Sequence, residues 1–413
     1  LPQLCDVEVL LQVNDEPGRP LLPGAIDYEA ALAASSPQRP EVVWSPNDLY
    51  ILYTGGTTGM PKGVLWRQSD IYFAAVGGSI PGLGEHQSMD AVLSMAHRGT
   101  RTLPAAPFMH GAAHWAAFNT MNNGGTVVVQ SDCKGLDPDD IWSTVEREKA
   151  EALLIVGDAF ARPLLDQLAR KKYDLSSLAM LVSGGAVLNV GLKEALLQRL
   201  PGMMSMDNIG SSETGSQAVN ISAVGGGVST GSFMPQPGNC VLSADLSRVL
   251  DSGSDELGWF AKAGRVPLGY LGDQAKTERT FPVIGGVRYA VPGDRARALA
   301  GGMIEVLGRD SVTINSGGEK IFAEEVEQAL KRHEDVYDAV VVGRASERWG
   351  QEVVAIVRLR EGARSGIDEL LGEAAKHLAR YKLPKAVMFR DAIVRSPAGK
   401  ADYRWARQQA EQA

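Results

Sequence analysis

The sequence predicts an α/β protein: a large domain of parallel sheets with flanking helices plus a small β unit, followed by a small α+β C-terminal domain. Three observations lead there. Between Thr126 and Met206, short β-branched or apolar runs alternate with helix-like segments, which implies right-handed βαβ units and a parallel sheet covered on both faces. Residues 221–305 are instead rich in Gly, Pro and short β-like runs such as Val241-Leu242 and Val287–Val291, which suits a barrel-like or antiparallel unit. Beyond Gly308-Arg309-Asp310-Ser311 the pattern becomes helix, strand, strand, helix, strand, as in a separate small domain. At 413 residues the chain also exceeds what one ordinary core supports.

Taken in order, residues 1–48 carry an apolar run at Val7–Val13, a turn region at Pro17–Pro23 and a helix near Tyr28–Ala34. Leu49–Tyr53 is apolar and aromatic and reads as a buried strand. It stops at Thr54 and gives way to Thr57, Thr58, Lys62 and the glycines Gly55, Gly56, Gly59 and Gly63. Glycine tolerates positive φ and leaves room for close approach, so the backbone N–H groups of such a loop can converge on one concavity. With three threonine hydroxyls and one lysine, that concavity suits a chain of phosphates. It is not a Walker A loop, because Lys62 follows Pro61 and Gly63 stands where a magnesium-binding Ser or Thr belongs.

Ile71–Val76 reads as the start of a helix and Gly77–Gly99 as an exposed loop. Thr126–Gln130 is a strand. Asp137-Pro138 is an N-cap followed by Pro at the first helical position, opening a helix to about Lys149. Strands at Ala152–Val156, Ala179–Val182 and Met203–Met206 then alternate with helices at Ala159–Lys171 and Val190–Arg199. Ligands of such sheets sit beyond the carboxyl ends of the strands. The residues there are Gly157-Asp158, Ser183–Ala186 and Asn208–Thr214, all small or polar apart from Ile209. The last hundred or so residues predict helices at Glu324–Arg332 and Ile367–Arg380, and strands at Val336–Val342, Val353–Leu359 and Ala386–Phe389.

Composition narrows the function classes. The formal charge of −8 leaves no basic surplus for nucleic-acid phosphates. No run is long enough to cross a bilayer. Cys5, Cys133 and Cys240 are few and widely spaced, which fits a reducing, cytoplasmic compartment and neither a disulfide framework nor a zinc site. The chain begins at Leu1 without Met or a cleavage signature and reads as a fragment or processed product.

Four further clusters matter. Gly210–Glu213 ends a strand with a carboxylate suited to a hard cation bridged to phosphates. Pro292-Gly293-Asp294 places an acid where it can accept from ribose hydroxyls. Gly308-Arg309-Asp310 precedes Asn315–Lys320, a glycine turn with cations around it. Ser396–Lys400 sets one lysine on a loop near the C-terminus. Each alone is more often a solvated surface group.

In this order they resemble the adenylate-forming superfamily of acyl-CoA synthetases, luciferases and peptide-synthetase adenylation domains. The resemblance runs from about Leu49 to Trp405. It implies a partial adenylation domain over 1–308, lacking an N-terminal part, a hinge at 309–312 and a mobile domain over 313–413. By resemblance, Thr54, Gly55, Gly56, Thr57, Thr58 and Lys62 are the phosphate loop, and Gly184, Gly185 and Ala186 the adenine loop. Asn208, Ile209, Gly210, Ser211 and Ser212 also face the nucleotide. Glu213 is the magnesium carboxylate, Asp294 the ribose acid, Arg309 a second nucleotide contact and Lys320 a basic residue near the phosphates. Ser316, Gly317 and Gly318 approach CoA. Lys400 is the mobile adenylation lysine, and with Glu213 and Thr58 makes the catalytic set. Two positions depart from the family: Ile209 replaces a stacking aromatic, and the hinge residue is either Asp310 or Ser311.

The resemblance implies ATP, Mg²⁺ and coenzyme A, and a carboxylic acid as substrate. Pro107–Gly111 matches the acyl-pocket motif, with His110, Gly111 and Trp115 as pocket residues; His110 reads equally as a packed core histidine. No acid lies between Arg98 and Gln130 for a substrate ammonium, while Ala112, Ala113, Ala116 and Ala117 suit an apolar tunnel or ordinary helix packing. The run Met60–Arg67 is most similar to actinobacterial fatty-acyl or steroid-side-chain CoA ligases. Two other readings stay open, a ligase that loads a carrier protein and a non-catalytic nucleotide-binding fragment.

Overall fold

The structure, a computed structural model, describes residues 7–14, 18–54, 61–80, 84–96, 99–132, 135–396 and 399–412. Residues 1–45 make one compact unit. In it, Leu10–Gln12 pairs in parallel with Ala25–Asp27, which leads directly into the helix Tyr28–Ala34. The Asp27 carboxylate caps that helix by accepting from the Ala30 N–H at 3.0 Å.

Residues 46–413 form the second unit. Its centre is a run of parallel strands, Arg101–Pro104, Ala152–Ile155, Met180–Gly184 and Met204–Ser211, with Thr126–Val127 outside the first. Helices Gly111–Asn122, Pro138–Glu148, Gly157–Arg170 and Val190–Arg199 connect or flank them. Ala152–Ile155 is buried at every position, as a strand covered on both faces must be. The Asp137 cap accepts from the Asp139 and Asp140 N–H groups at 2.9 and 3.3 Å, and Lys149 ends the helix with φ +51°.

From Met204–Ser211 onward the same sheet turns antiparallel. Gly215–Ser222, Ser232–Pro235, Ile304–Arg309, Asp294–Ala298 and Gly258–Ala263 continue it. The 221–305 stretch is thus antiparallel and hydrogen-bonded into the parallel region, not a barrel standing apart. Met204–Ser211 is also longer than the Met203–Met206 run, because its polar second half pairs with Gly215–Ser222.

Two expectations from local pattern fail. Leu49–Thr54 is a strand, yet an edge strand: Leu49, Ile51 and Tyr53 are 52%, 41% and 56% exposed. The buried member is Lys62–Arg67, central in that three-stranded sheet, with Val64 and Trp66 fully covered. The 77–99 stretch is not a bare loop. It holds the pair Ser79–Ile80/Gly84–Glu85 and the helix Met89–Met95, capped by Ser88 on the Ala91 N–H at 3.1 Å. Ile71–Val76 joins a short helix, Gln68–Ile71, to a π-helical turn, Tyr72–Val76.

The C-terminal lobe is built on the long antiparallel pair Val336–Ser346 and Gly350–Leu359, joined by Ala386–Phe389 and the hairpin Ile314–Ser316/Glu319–Ile321. Alternate residues feed different clusters: Ala339, Val341 and Ala355 pack towards the helices Ala323–Leu330 and Ile367–Ala374. Val340, Val342 and Ile356 pack towards Tyr403–Ala410. The predicted helix to Arg380 ends at Ala374, and a 3₁₀ turn at Arg380–Lys382 follows.

Candidate active site

A cavity of about 1340 Å³ opens at the carboxyl ends of the parallel strands, where Val156, Gly184 and Asn208 line it. Gly157 and Gly185 hold φ of +50° and +83° there, so the chain leaves these strands in sharp turns. At Gly157 a Cβ would meet the Val187 carbonyl oxygen at 2.4 Å, a contact only glycine avoids. Of the adenine-loop residues expected from sequence, Gly184, Gly185 and Ala186 all reach the cavity, as do Asn208, Ile209, Gly210, Ser211 and Ser212.

Glu213 sits in the tight turn between Met204–Ser211 and Gly215–Ser222. Three distant residues fasten that turn. The Trp66 indole N–H donates to the Ser212 carbonyl at 2.9 Å, and buried Lys262 donates to the Thr214 carbonyl at 2.7 Å. The Tyr270 hydroxyl donates to Glu213 Oε1 at 2.7 Å. Burial lowers Lys262 to about 8 from its ordinary 10.5. Among the described residues no group of three His, Cys, Asp or Glu side chains is placed to hold a metal. A single carboxylate does fit Mg²⁺, which takes one or two protein carboxylates and otherwise phosphate oxygens and water.

Asp294 and Arg309 face each other in register on adjacent antiparallel strands, with Arg309 Nε 3.3 Å from Asp294 Oδ1. The Asp294 carboxylate, then Glu213, hold the Arg309 guanidinium above its ordinary range against the cost of burial. Lys400 enters from the C-terminal lobe and lines the same cavity. Its loop is pinned by Arg395, which pairs with Asp338 at 2.7 Å and donates to the Gly399 carbonyl at 3.0 Å. Crowding by protein lowers the Lys400 ammonium, and Arg309 adds repulsion that Glu213 and Asp294 oppose. A cation near the C-terminus and an acid–arginine pair about a hundred residues upstream therefore share one cleft.

The helix Gly111–Asn122 contributes Gly111, Ala112, Trp115, Ala116, Asn119 and Thr120 to the cavity lining. Gly111 lets the Trp115 ring lie against the backbone, since a Cβ there would meet that ring at 3.0 Å. The Trp115 indole donates to the Tyr50 hydroxyl at 3.1 Å. His110 is the residue preceding the helix, makes no capping bond through its side chain, and lines the cavity. Burial, with Lys400 nearby, lowers its imidazole below 6.5.

Not every expected residue reaches the cavity. Lys62 is on its strand but pairs with Asp273. Ser316, Gly317, Gly318 and Lys320 belong to the hairpin on the C-terminal sheet, where Ser316 pairs with Gly350 and Gly317 packs by Trp349, and none lines the cavity. Thr54 lines the cavity, while Gly55, Gly56, Thr57 and Thr58 lie outside the described residues.

The AMP-binding enzyme family profile matches residues 5–246, and the AMP-binding enzyme C-terminal domain matches residues 325–400. This chain belongs to the AMP-binding, adenylate-forming enzyme family. Within that family it is 53% identical to the medium-chain acyl-CoA ligase Mig of Mycobacterium avium, over 99% of this chain and 75% of the relative. It is 43% identical to a 3-oxocholest-4-en-26-oate–CoA ligase of Rhodococcus rhodochrous, over 94% of this chain and 71% of the relative. The fold is similar to that of the amide bond synthetase McbA of Marinactinospora thermotolerans: TM-score 0.69, 26% identity, covering 87% of this chain and 69% of that one.

Several residues that shape this cleft were not nominated from the sequence. Tyr270, Trp66 and Lys262 act on the Glu213 turn from 57, 146 and 48 residues away. Lys276 also lines the cavity, stacked over the Tyr270 ring at 4.6 Å. Only Lys262 was findable in principle, as a lone cation inside the apolar run Gly258–Ala263.

Proposed function

We propose that this chain is an ATP-dependent acyl-CoA ligase that activates a fatty or steroid-side-chain carboxylic acid. In the first half, the acid's carboxylate oxygen attacks the α-phosphorus of ATP; the bond to pyrophosphate breaks and an acyl-adenylate remains. In the second, the CoA thiol adds to the acyl carbonyl, the bond to AMP breaks, and the thiol proton is released. Negative charge grows on oxygen in both halves, so positioned cations and dipoles are the main catalytic resource.

One observation carries this reading: Lys400 of the C-terminal lobe reaches the cavity that Glu213, Asp294 and Arg309 line. Lys400 neutralises charge at the α-phosphate and carboxylate oxygens, Asp294 accepts from ribose, and Arg309 holds the nucleotide while pinned by Asp294. Glu213, oriented by the Tyr270 hydroxyl, would hold Mg²⁺, and that ion would supply charge neutralisation for the phosphates. The backbone of Gly184–Ala186 faces adenine, with Ile209 giving apolar packing. The acyl chain lies along Ala112, Trp115, Ala116 and Leu154, which suits an apolar acid and matches the substrates in the relatives' names. Rotation near Asp310-Ser311 withdraws Lys400 and brings the Ser316–Lys320 hairpin to CoA. A cytoplasmic site belongs to the same proposal, since few, widely spaced cysteines suit a reducing compartment.

ATP–pyrophosphate exchange with a panel of fatty and steroid acids tests the reading, with CoA and a holo-carrier protein compared as acceptors. Lys400→Ala is expected to cut exchange by about 100-fold or more while sparing thioester formation from supplied acyl-AMP. Absence of exchange with every acid, or an equal loss of both halves in the variant, overturns it.

A further inference from the structure

Beneath the Lys400 loop lies a charge pair that the chemistry just described does not use. Asp158 begins the helix Gly157–Arg170 at the carboxyl end of a parallel strand, and Lys331 follows the helix Ala323–Leu330 of the C-terminal lobe. Both are buried, at 7% and 8% exposure, and their side chains meet at 2.5 Å. The surroundings are specific. The second Asp158 oxygen accepts from the Asn189 N–H at 2.6 Å, and the Asn189 side-chain amide crosses to Gln328 at 2.8 Å. The same helix of the large lobe receives Gly399, where an added Cβ would lie 3.2 Å from Ala159 and 3.4 Å from Phe160. The residue before Lys400 therefore rests on the turn that Asp158 and Lys331 hold.

We infer that Asp158 and Lys331 are positioning residues for the adenylation half-reaction, seating the C-terminal lobe so that Lys400 reaches the cleft. A buried charge whose partner is removed is strongly destabilising, whereas removing both charges is far milder. With both present, the seated arrangement is favoured by mutual attraction across the interface. With only one, it must bury a charge that has lost its nearest partner, and rotation of the lobe would return that charge to water. Arg162 and Arg395 are then the remaining cations acting on Asp158, and Glu327 and Asp338 the remaining acids acting on Lys331. Neither residue touches reacting atoms: they act through the placement of Lys400.

The inference rests on the ligase reading, so its test carries a readout independent of activity. Single-turnover acyl-AMP formation, and thioester formation from supplied acyl-AMP and CoA, are measured for the unaltered chain, Asp158→Asn, Lys331→Met, Lys331→Arg and the Asp158→Asn/Lys331→Met double variant. Asp158→Asn keeps an acceptor for the Asn189 N–H. Each charge-removing single variant is expected to slow acyl-AMP formation about tenfold or more and to leave the second half unchanged or faster. Lys331→Arg should retain most of the first half, and the double variant should lie closer to the unaltered chain than either single one. Amide hydrogen exchange without substrates should rise at 399–402 in the single variants and stay unchanged in strands 152–155 and 180–184. Equal losses in both halves, a double variant as poor as the product of the singles, or unchanged exchange at 399–402 overturns the inference. If the unaltered chain makes no acyl-AMP, the ligase reading fails, and the exchange measurement still decides whether the pair seats the lobe.

Discussion

Replacing Gly215 by Ala tests how rigidly the Glu213 turn is held. Gly215 sits at φ +67°, and a Cβ there would lie 2.6 Å from the Ala74 carbonyl oxygen and 3.0 Å from its carbon. Both atoms are backbone of the π-helical turn Tyr72–Val76, so no rotamer change relieves the clash. Left-handed backbone costs a non-glycine residue about 1–2 kcal/mol. Overpacking costs about 1–3 kcal/mol. A total of about 2–5 kcal/mol is expected, seen as a fall of several degrees in Tm. Relief of the clash moves the turn, so Glu213 loses its alignment with Tyr270 and exchange activity falls even at temperatures where the variant is folded. Gly225→Ala is the control: φ is +80° with nothing within 4 Å of the added Cβ, so only the backbone cost remains and activity is kept. Thermal denaturation and ATP–pyrophosphate exchange read both effects. If Gly215→Ala is no more destabilised than Gly225→Ala, the close packing against Ala74 is not what holds the turn.

Two further outcomes are expected. Glu327 is buried, accepts from the Val341 N–H at 2.9 Å, and burial raises its carboxyl from 4.5 to about 8. Because the folded pKa is the higher one, its stabilising contribution is complete below about pH 4.5. It is lost as pH rises towards 8, by at most about 1.4 kcal/mol per pH unit. Glu327→Gln should flatten that slope in urea denaturation between pH 5 and 8; an unchanged slope assigns it elsewhere. Ala116 lines the cavity beside Ala112 and Trp115, so Ala116→Phe should lower kcat/KM for long-chain and steroid acids about tenfold or more and spare butanoate. A uniform fall across chain lengths would place the acyl group elsewhere.

Elements with local punctuation were legible in the sequence. The helix Pro138–Glu148 announces itself by Asp137-Pro138, and Val190–Arg199 and Ala386–Phe389 fall where their patterns put them. The helix Tyr403–Ala410 was not read from the sequence, although Asp402 caps it and Tyr403, Ala406 and Ala410 recur at helical spacing, because the segment around them is mostly charged and polar. Leu49–Thr54 misled for the opposite reason: apolar residues on an edge strand look the same in sequence as those in the middle of a sheet.

Residue types and their order alone were enough to name the family and to nominate Glu213, Asp294, Arg309 and Lys400, since chemistry of that kind needs particular groups in a particular succession. Which of the nominated residues share a cleft was decided only by tertiary structure. Lys62 turns to Asp273, the 316–320 hairpin stays on its own sheet, and Tyr270, Trp66 and Lys262 converge on one turn. Contacts across tens to hundreds of residues depend on which distant strands lie side by side, whereas a local alternation of side chains fixes at most which face of each strand is buried.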